Sequence, residues 1–296
     1  MRKIEPDLQE FLIKPDPDNP RLTRAIVGVD HEKKQVDMRV VEERPLTIFL
    51  NSQEIVTTMT IGDQPEHLAI GYLLNQNMLR WDDTVVSVDY DDDLDVAVVR
   101  TERSTNYEAK LEKKTRTSGC AVGTVYGDMM EALDAVCLPK TELRISWLYT
   151  VSKKVNTQPS LYLTAGAIHG CALCMADKPI LYVEDVGRHN AVDKIAGWMF
   201  QNGVSGAAAI FYTTGRLTSE MVIKSALMGI PILASRSGFT ASGVEIAQQV
   251  GLTLIGRMRG QRFICLSGRD RLVWDADPNM VDDENEKHRR KGARDA

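Results

Sequence analysis

Short apolar runs alternate with helix-patterned segments through the second half of this chain, and this alternation restricts the possible folds more than any other feature. Each run has the length of a strand, and the segments between the runs carry apolar residues at helical spacing. Such alternation indicates an α/β sandwich, in which helices cover a sheet. The predicted strands are residues 161–165, 180–183, 207–212, 230–234, 252–255 and 262–266, and the predicted helices are residues 191–200, 219–228 and 242–250.

The pattern in the first half of the chain predicts a smaller unit that contains both helix and strands. One helix is expected at residues 66–79, and the expected strands are residues 47–51, 54–59, 85–90 and 94–101. A basic, glycine-containing loop follows over residues 111–128, and then a polar link of modest helicity over residues 129–158. The predicted organisation is a loose N-terminal extension over residues 1–36, a small α+β domain over residues 37–145, an α/β domain over residues 146–277 and a disordered tail over residues 278–296.

Charge and composition exclude several classes of function. A net charge of −5 argues against a broad nucleic-acid surface. The five cysteines are too few and too odd in number for a disulfide framework. No apolar run has the length of a signal peptide or of a membrane span. We therefore predict a cytoplasmic protein with reduced thiols that binds neither nucleic acid nor membranes.

Residues 184–194 pack seven polar or ionisable side chains into eleven positions between a predicted strand and a predicted helix. Ligands of α/β folds bind at the carboxyl ends of strands, where this run lies. Asp185, Arg188, His189 and Asn190 together offer hydrogen-bond donors and acceptors, so we predict that they bind a ligand. The alternative is a structural role, with Asp185 capping a turn and Arg188 paired with Asp193.

Two further polar segments follow the next predicted strands. The first contains Arg216, Ser219 and Glu220, and two polar strand ends are expected to share one cleft. The second, residues 235–240, precedes a predicted helix whose free N–H groups would favour an anion. A simple serine or threonine cap explains this second segment equally well.

A turn with three guanidinium groups is predicted between the last two strands. Arginine suits phosphate because its planar fork donates two parallel hydrogen bonds. A hairpin turn with solvated arginines is the alternative. The residues of this arginine turn are Arg257, Met258, Arg259, Gly260, Gln261 and Arg262.

The cysteine pair Cys171 and Cys174, which follows His169, does not predict a zinc site. One such pair supplies two ligands, and a second pair at finger-like spacing is lacking. A zinc deaminase would need a glutamate two residues after a histidine, and Cys171 stands there instead. Buried structural cysteines are therefore expected, and we predict no structural metal.

Cys120 lies in a different setting, between Gly119 and Gly123 and shortly after Lys113, Lys114 and Arg116. Nearby cations lower the pKa of a thiol and raise its thiolate fraction. A thiolate on an exposed loop suits sulfur exchange or oxidation. We predict that Cys120 is reactive, with an incidental surface cysteine as the alternative.

Several of these motifs, in this order, resemble the FdhD family of formate dehydrogenase accessory sulfurtransferases, over about residues 44–272. The most specific are the run 184–194 and the segment 215–221, Gly-Arg-Leu-Thr-Ser-Glu-Met; the segments 229–231 and 251–256 add to them. The resemblance implies a protein that accepts persulfide sulfur from a cysteine desulfurase. It then transfers the sulfur to the molybdenum (or tungsten) bis-guanine-dinucleotide cofactor that formate dehydrogenase requires. The implied fold is similar to the cytidine deaminase architecture, an α/β/α sandwich, without its zinc chemistry.

The resemblance also assigns roles to residues. Cys120 matches the persulfide-bearing cysteine, the arginine turn matches the cofactor-binding segment, and the strand-end clusters would shape the guanine-nucleotide pocket of the α/β domain. Two departures stand out. Gly123 occupies the place of a second cysteine, which excludes a two-thiol relay in this loop, and Arg257 occupies a place where an aromatic residue is common.

Two functions of different classes follow from this comparison of motifs. The first is sulfur transfer through a Cys120 persulfide, with the cofactor bound as substrate. The second is a cofactor-binding chaperone that carries no sulfur, which the glycine at position 123 keeps open. A homodimer is an ordinary expectation for a protein whose ligand has two nucleotide arms.

Overall fold

The computed structural model describes residues 14–103 and 126–277. Within these ranges the chain builds a smaller N-terminal unit and a larger C-terminal unit. Cys120, the predicted persulfide carrier, lies outside the described residues, as do the predicted tail over residues 278–296 and most of the loop over residues 111–128.

The N-terminal unit is centred on a four-stranded sheet with one helix packed against it. Alternate residues Leu46, Ile48 and Leu50 are buried, as expected for a strand with one face on a core. The strand order is β4-β3-β6-β5, and β3 and β6 are parallel. The predictions for residues 47–101 are confirmed, with shifted ends. The elements are β1 Thr23–Val29, β2 Gln35–Val41, β3 Arg44–Leu50, β4 Gln53–Thr60, α1 Pro65–Asn75, β5 Val85–Asp91 and β6 Val96–Thr101.

The prediction of a loose extension over residues 1–36 is wrong for the part that the structure describes. Strands β1 and β2 form a regular antiparallel hairpin, with Thr23 opposite Val41 and Val29 opposite Gln35. The carboxylate of Asp30 closes the turn by accepting the backbone N–H groups of Glu32 and Lys34. The predicted boundary at residue 37 therefore falls inside β2.

The C-terminal unit contains most of the helices and a six-stranded sheet. Its short strand β7 pairs with β14, so residues 143–144 belong to this unit rather than to the predicted small domain. The elements are α2 Tyr126–Leu133, β7 Leu143–Arg144, α3 Ile145–Thr157, α4 Leu161–Ala165, β8 His169–Met175, β9 Lys178–Asp185, α5 Arg188–Asn202, β10 Ala209–Thr213, α6 Ser219–Leu227, β11 Ile232–Ser235, α7 Ala241–Gln249, β12 Thr253–Arg259, β13 Arg262–Ser267, a 3₁₀ helix Arg269–Arg271 and β14 Leu272–Val273.

The six-stranded sheet has the order β13-β12-β11-β10-β8-β9 and is covered on both faces. Strands β10, β11 and β12 are parallel, whereas β8, β9 and β13 run antiparallel to their neighbours. Helices α2, α5, α6 and α7 pack on one face and α3 packs on the other. The predicted α/β class is confirmed, while the likeness to cytidine deaminases stays a prediction. In the described ranges, no helix is both long and apolar enough to cross a membrane.

Two sequence predictions within this unit fail for physical reasons. Residues 161–165, predicted as a strand, form helix α4, because the Glu184 carboxylate accepts the N–H groups of Leu161 and Tyr162 at its first turn. Strand β8 is missing from the prediction, since its glycine, alanine and cysteines have weak strand propensity. Its position next to β10 buries both faces, so packing determines its conformation.

Helices α1 and α5 cross in backbone contact and join the two units. A Cβ atom on Gly71 would lie 1.6 Å from the carbonyl oxygen of Asp193, and one on Gly197 would lie 1.9 Å from that of His67. Such distances admit only glycine at either crossing point. The crossing therefore fixes the smaller unit firmly against the larger one.

Candidate functional site

A cleft of about 1310 Å³ lies beside the carboxyl ends of β10, β11 and β12. All six residues of the predicted arginine turn line it, which brings Arg257, Arg259 and Arg262 to one surface. Thr214 after β10 and Arg236 after β11 line it as well. Met258 is only 2% exposed, so its side chain also belongs to the core beneath the cleft. Three parallel strand ends thus supply the polar wall, as is usual in open α/β sheets.

The backbone at Arg257 departs from regular strand geometry. Its φ of 54° lies in the left-handed region, and the pairing of β12 with β13 shifts register between Gly256 and Arg259. Its N–H group donates to the carbonyl oxygen of Ser237 at 2.7 Å, which ties the bulge to the loop after β11. A non-glycine residue in this region is uncommon, and such bulges often redirect a side chain at a binding site.

An aromatic cluster that the sequence analysis did not single out also lines the cleft. The rings of Phe263 and Trp274 stack with centroids 6.0 Å apart, and Tyr149 lies 6.4 Å from Phe263. Trp274 is 67% exposed, which is unusual for so large an apolar ring. A flat aromatic surface in the same cleft as several arginines suits a nucleotide, because the base can stack while the phosphates pair with guanidinium groups.

Asp185 and Asn190, both predicted to bind a ligand, instead contact the N-terminal unit. The Asp185 carboxylate accepts the hydroxyl of Thr60 at 2.5 Å and the amide of Asn190 at 3.0 Å. The amide of Asn190 also donates to the carbonyl oxygen of Met59 at 2.7 Å. Neither side chain is among those that line the cleft. Their polar groups connect the two units of the fold.

Two fully buried lysines continue this connection. Lys194 contacts the carboxylates of Asp185 (2.6 Å) and Asp63, and Lys224 contacts Asp193 at 2.8 Å. Burial alone would lower the pKa of Lys194, but the two carboxylates outweigh it and raise the pKa. The charges of residues 184–194 are therefore largely neutralised inside the protein, where an unpaired charge would be costly.

The remaining predicted residues gather where α5 and α6 begin. His189 Nε2 lies 3.4 Å from Glu220 Oε2, which brings the first turns of the two helices together. The side chain of Arg188 packs over Gly215, since a Cβ there would lie 3.2 Å from Arg188 Cδ. Arg216 is exposed and Ser219 is half-buried at the start of α6. None of these residues is among those that line the cleft, so the structure divides the predicted site into separate groups.

Burial holds His189 in its neutral form. It lowers the pKa of His189 from 6.5 to about 2, and the positive charges of Lys224 and Arg188 add to the effect. The unfolded histidine takes up a proton below pH 6.5 whereas the folded one does not, so acid favours unfolding. At pH 5 protonation of His189 in the unfolded chain should lower the free energy of unfolding by about 2 kcal/mol relative to neutral pH.

We expect a His189→Gln variant to lose less stability than the wild type between pH 7.5 and pH 5. The measurement is the free energy of unfolding from urea titrations at both pH values. His67 and His169, whose pKa values burial also lowers, are present in both proteins and cancel in the comparison. An equal loss in the two proteins would contradict the prediction.

Four cysteines lie within the described residues, and two of them are buried. Burial raises the pKa of Cys171 to about 12 and raises that of Cys174 as well, so neither forms a thiolate readily. Cys137 is exposed, and Cys265 is partly buried. Over the ranges 14–103 and 126–277, no three histidine, cysteine, aspartate or glutamate side chains gather as ligands for a metal ion.

Comparison with known proteins identifies the family. Residues 41–273 match the model of the FdhD/NarQ family. Proteins named sulfur carrier protein FdhD are similar to the chain: that of Listeria monocytogenes is 29% identical (81% of this chain, 94% of that protein) and that of Nocardia farcinica is 31% identical (81% and 90%). A solved structure described as a formate dehydrogenase accessory protein, from Desulfotalea psychrophila, matches with a TM-score of 0.70 and 26% identity, over 85% of this chain and 99% of that one. This chain therefore belongs to the FdhD/NarQ family.

Proposed function

We propose that this protein is a sulfurtransferase that takes persulfide sulfur from a cysteine desulfurase and transfers it to the molybdenum bis-guanine-dinucleotide cofactor. The sulfurated cofactor would then serve formate dehydrogenase. The names of the relatives, sulfur carrier and formate dehydrogenase accessory protein, support the general role. We place this activity in the cytoplasm, where cysteines stay reduced.

The cleft with the arginine turn is the observation that carries this proposal. Its volume of about 1310 Å³ exceeds what a drug-sized ligand needs and suits a large dinucleotide cofactor. The arginines at positions 257, 259 and 262 would pair with its pyrophosphates, and the aromatic cluster with Trp274 would take a guanine base. Stacking of a base on an aromatic ring contributes about 1–3 kcal/mol. The aromatic cluster would therefore supply the stacking surface that is missing where Arg257 replaces an aromatic residue common in the family.

Cys120 would carry the sulfur. Its thiolate attacks the outer sulfur of the desulfurase persulfide, a new S–S bond forms, and the desulfurase cysteine leaves as a thiolate. In the second step the S–S bond of the Cys120 persulfide would break, and its outer sulfur would pass to the cofactor, whose metal favours soft sulfur donors. Two electrons, from the reduced metal or from a cellular thiol reductant, would convert that sulfur to sulfide, and Cys120 would return as a thiolate. Because Gly123 replaces a second cysteine, one thiol suffices in this proposal.

A Cys120→Ser variant tests the transfer. After incubation with a desulfurase and cysteine, we expect the intact mass of the wild type to rise by one sulfur atom, and that of the variant to stay unchanged. In cells that contain only the variant, formate dehydrogenase activity should fall to background. Cys137→Ser removes an exposed thiol elsewhere in the chain and is the matched control, which should load sulfur normally.

The outcomes separate the two candidate functions. A Cys120→Ser variant that fully supports formate dehydrogenase would exclude sulfur transfer through this residue. If that variant also binds guanosine diphosphate like the wild type, the protein is the cofactor-binding chaperone instead. If neither the wild type nor the Cys120→Ser variant binds guanosine diphosphate, a guanine nucleotide is not the ligand in either candidate function.

A further inference from the structure

The starts of helices α5 and α6 meet. Their N-cap residues are Gly187 and Thr218, and within the part of the chain that the structure describes no side-chain hydrogen bond closes either first turn. The first N–H groups of a helix lack partners inside it and carry a partial positive charge. Two such ends side by side favour an anion, although a helix start alone does not make a binding site.

Positive side chains surround this meeting point. Arg188 packs over Gly215 in the loop before α6, and the charges of Arg216 and Arg236 act on the neighbouring His169. Glu220 supplies a negative charge, at 3.4 Å from His189. The carboxylate of Asp185 also acts on His169, but it is paired with Lys194. Three guanidinium groups against Glu220 and this paired carboxylate leave an excess of positive charge. We define Arg188, His189, Arg216, Thr218 and Glu220 as the helix-start cluster.

Buried polar atoms in the helix-start cluster lack hydrogen-bond partners within the described residues. Among residues 14–103 and 126–277, neither ring nitrogen of His189 finds a hydrogen-bond partner, and the hydroxyl of Thr218 finds none. Both residues are more than nine-tenths buried, with 8% and 6% of their surfaces exposed. Native proteins rarely keep such groups unsatisfied, and a bound ion or ligand is a common reason. These atoms are the second, independent indication of a ligand.

We propose that the helix-start cluster binds one phosphoryl group, as a phosphate ester or as inorganic phosphate. A tetrahedral oxyanion can accept hydrogen bonds from guanidinium groups, a hydroxyl and helix N–H groups that approach from different directions. Arg216 is the exposed member of the cluster, so its guanidinium group can meet an anion from solvent. Naming a nucleotide as the source of the phosphoryl group rests on the proposed function, since Arg236 lines the cleft and also acts on His169 beside the cluster.

Calorimetric titration of the full chain with inorganic phosphate and with guanosine diphosphate tests the site. Arg216→Gln and Thr218→Val should each weaken phosphate binding by about tenfold or more, the usual loss when a charged hydrogen bond disappears. Thr218→Val removes a hydroxyl that makes no hydrogen bond to any described residue, so its thermal unfolding without phosphate should match the wild type. Arg80→Gln removes an exposed arginine of the N-terminal unit and should leave binding within twofold.

The arginine turn provides the contrast. A variant with Arg259→Gln and Arg262→Gln should still bind inorganic phosphate at the helix-start cluster while it loses affinity for guanosine diphosphate. The inference is overturned if Arg216→Gln and Thr218→Val leave the phosphate affinity unchanged. Guanosine diphosphate binding that depends only on the turn keeps the proposed function and rejects this site. If phosphate binding depends on Arg216 but no nucleotide binds, the phosphoryl site is kept and the proposed function is rejected.

Discussion

Gly197→Ala should destabilise the protein by about 3 kcal/mol or more, although alanine is the better helix former. In an isolated helix the same change stabilises by about 1 kcal/mol. Here the added methyl group would lie 1.9 Å from the carbonyl oxygen of His67, so α1 and α5 must move apart. Overpacking of a rigid contact costs about 1–3 kcal/mol and more when backbone atoms must shift. The two effects have opposite signs, which makes the experiment decisive.

The free energy of unfolding from urea titration measures this effect. Gly28→Ala is the control, because its Cβ would lie 3.7 Å from Val36, an ordinary contact in the β1–β2 hairpin. The control should stay within about 0.5 kcal/mol of the wild type. A Gly197→Ala protein as stable as the wild type would show that the two helices do not cross as closely as the structure has them.

Lys194→Met should cost about 3–5 kcal/mol, the usual penalty when one partner of a buried ion pair is removed. Lys194 is fully buried and also donates to the carbonyl oxygen of Glu184 at 3.1 Å. Methionine fills much of the same volume, so the loss reports charge rather than a cavity. Two carboxylates, Asp63 and Asp185, are left without their cation.

The pH dependence of the Lys194→Met protein identifies the cause. Unpaired buried carboxylates have raised pKa values, so the folded variant binds protons more readily than the unfolded chain. Its deficit relative to the wild type should therefore shrink as the pH falls. Arg100→Met, which breaks an exposed pair with Asp89, is the control and should cost less than about 1 kcal/mol. A deficit that is constant from pH 8 to pH 5 would mean that the lysine acts through packing alone.

Local patterns were sufficient for the elements that carry their own signal. The strands around Ile180, Ile210 and Leu233 are apolar runs of strand length, and the helices between them have the expected period. Helix α4 and strand β8 failed because partners distant in sequence decide their conformations. The Glu184 carboxylate caps α4 from 23 residues away, and β8 is a strand because β9 and β10 enclose it.

The sequence indicated only part of the candidate cleft, and the reason is related. The arginine turn is local, and its arginines line the cleft together. For Asp185 and Asn190, composition alone does not distinguish a polar group that faces a ligand from one that faces another unit of the protein. Asn190 finds its acceptor at Met59, 131 residues away. The aromatic cluster was missed because Tyr149 and Trp274 are brought to Phe263 only by the folded chain, although the tryptophan near the arginine turn was a usable signal.

The close crossing of α1 and α5 has a consequence for synthesis on the ribosome. Nine of the eleven residues of α1 are buried in the folded protein, yet α5, its main partner, begins at Arg188, roughly 120 residues after the start of α1 at Pro65. At about 5–20 residues per second, α1 leaves the ribosome between roughly 6 and 25 seconds before α5 is available. During that interval Leu68 and Leu73 can pack against the sheet of their own unit, with which they share a core. The side of α1 around Gly71, which meets α5 in the folded protein, stays uncovered until α5 is made. This side is therefore the part of α1 that is exposed longest on the nascent chain.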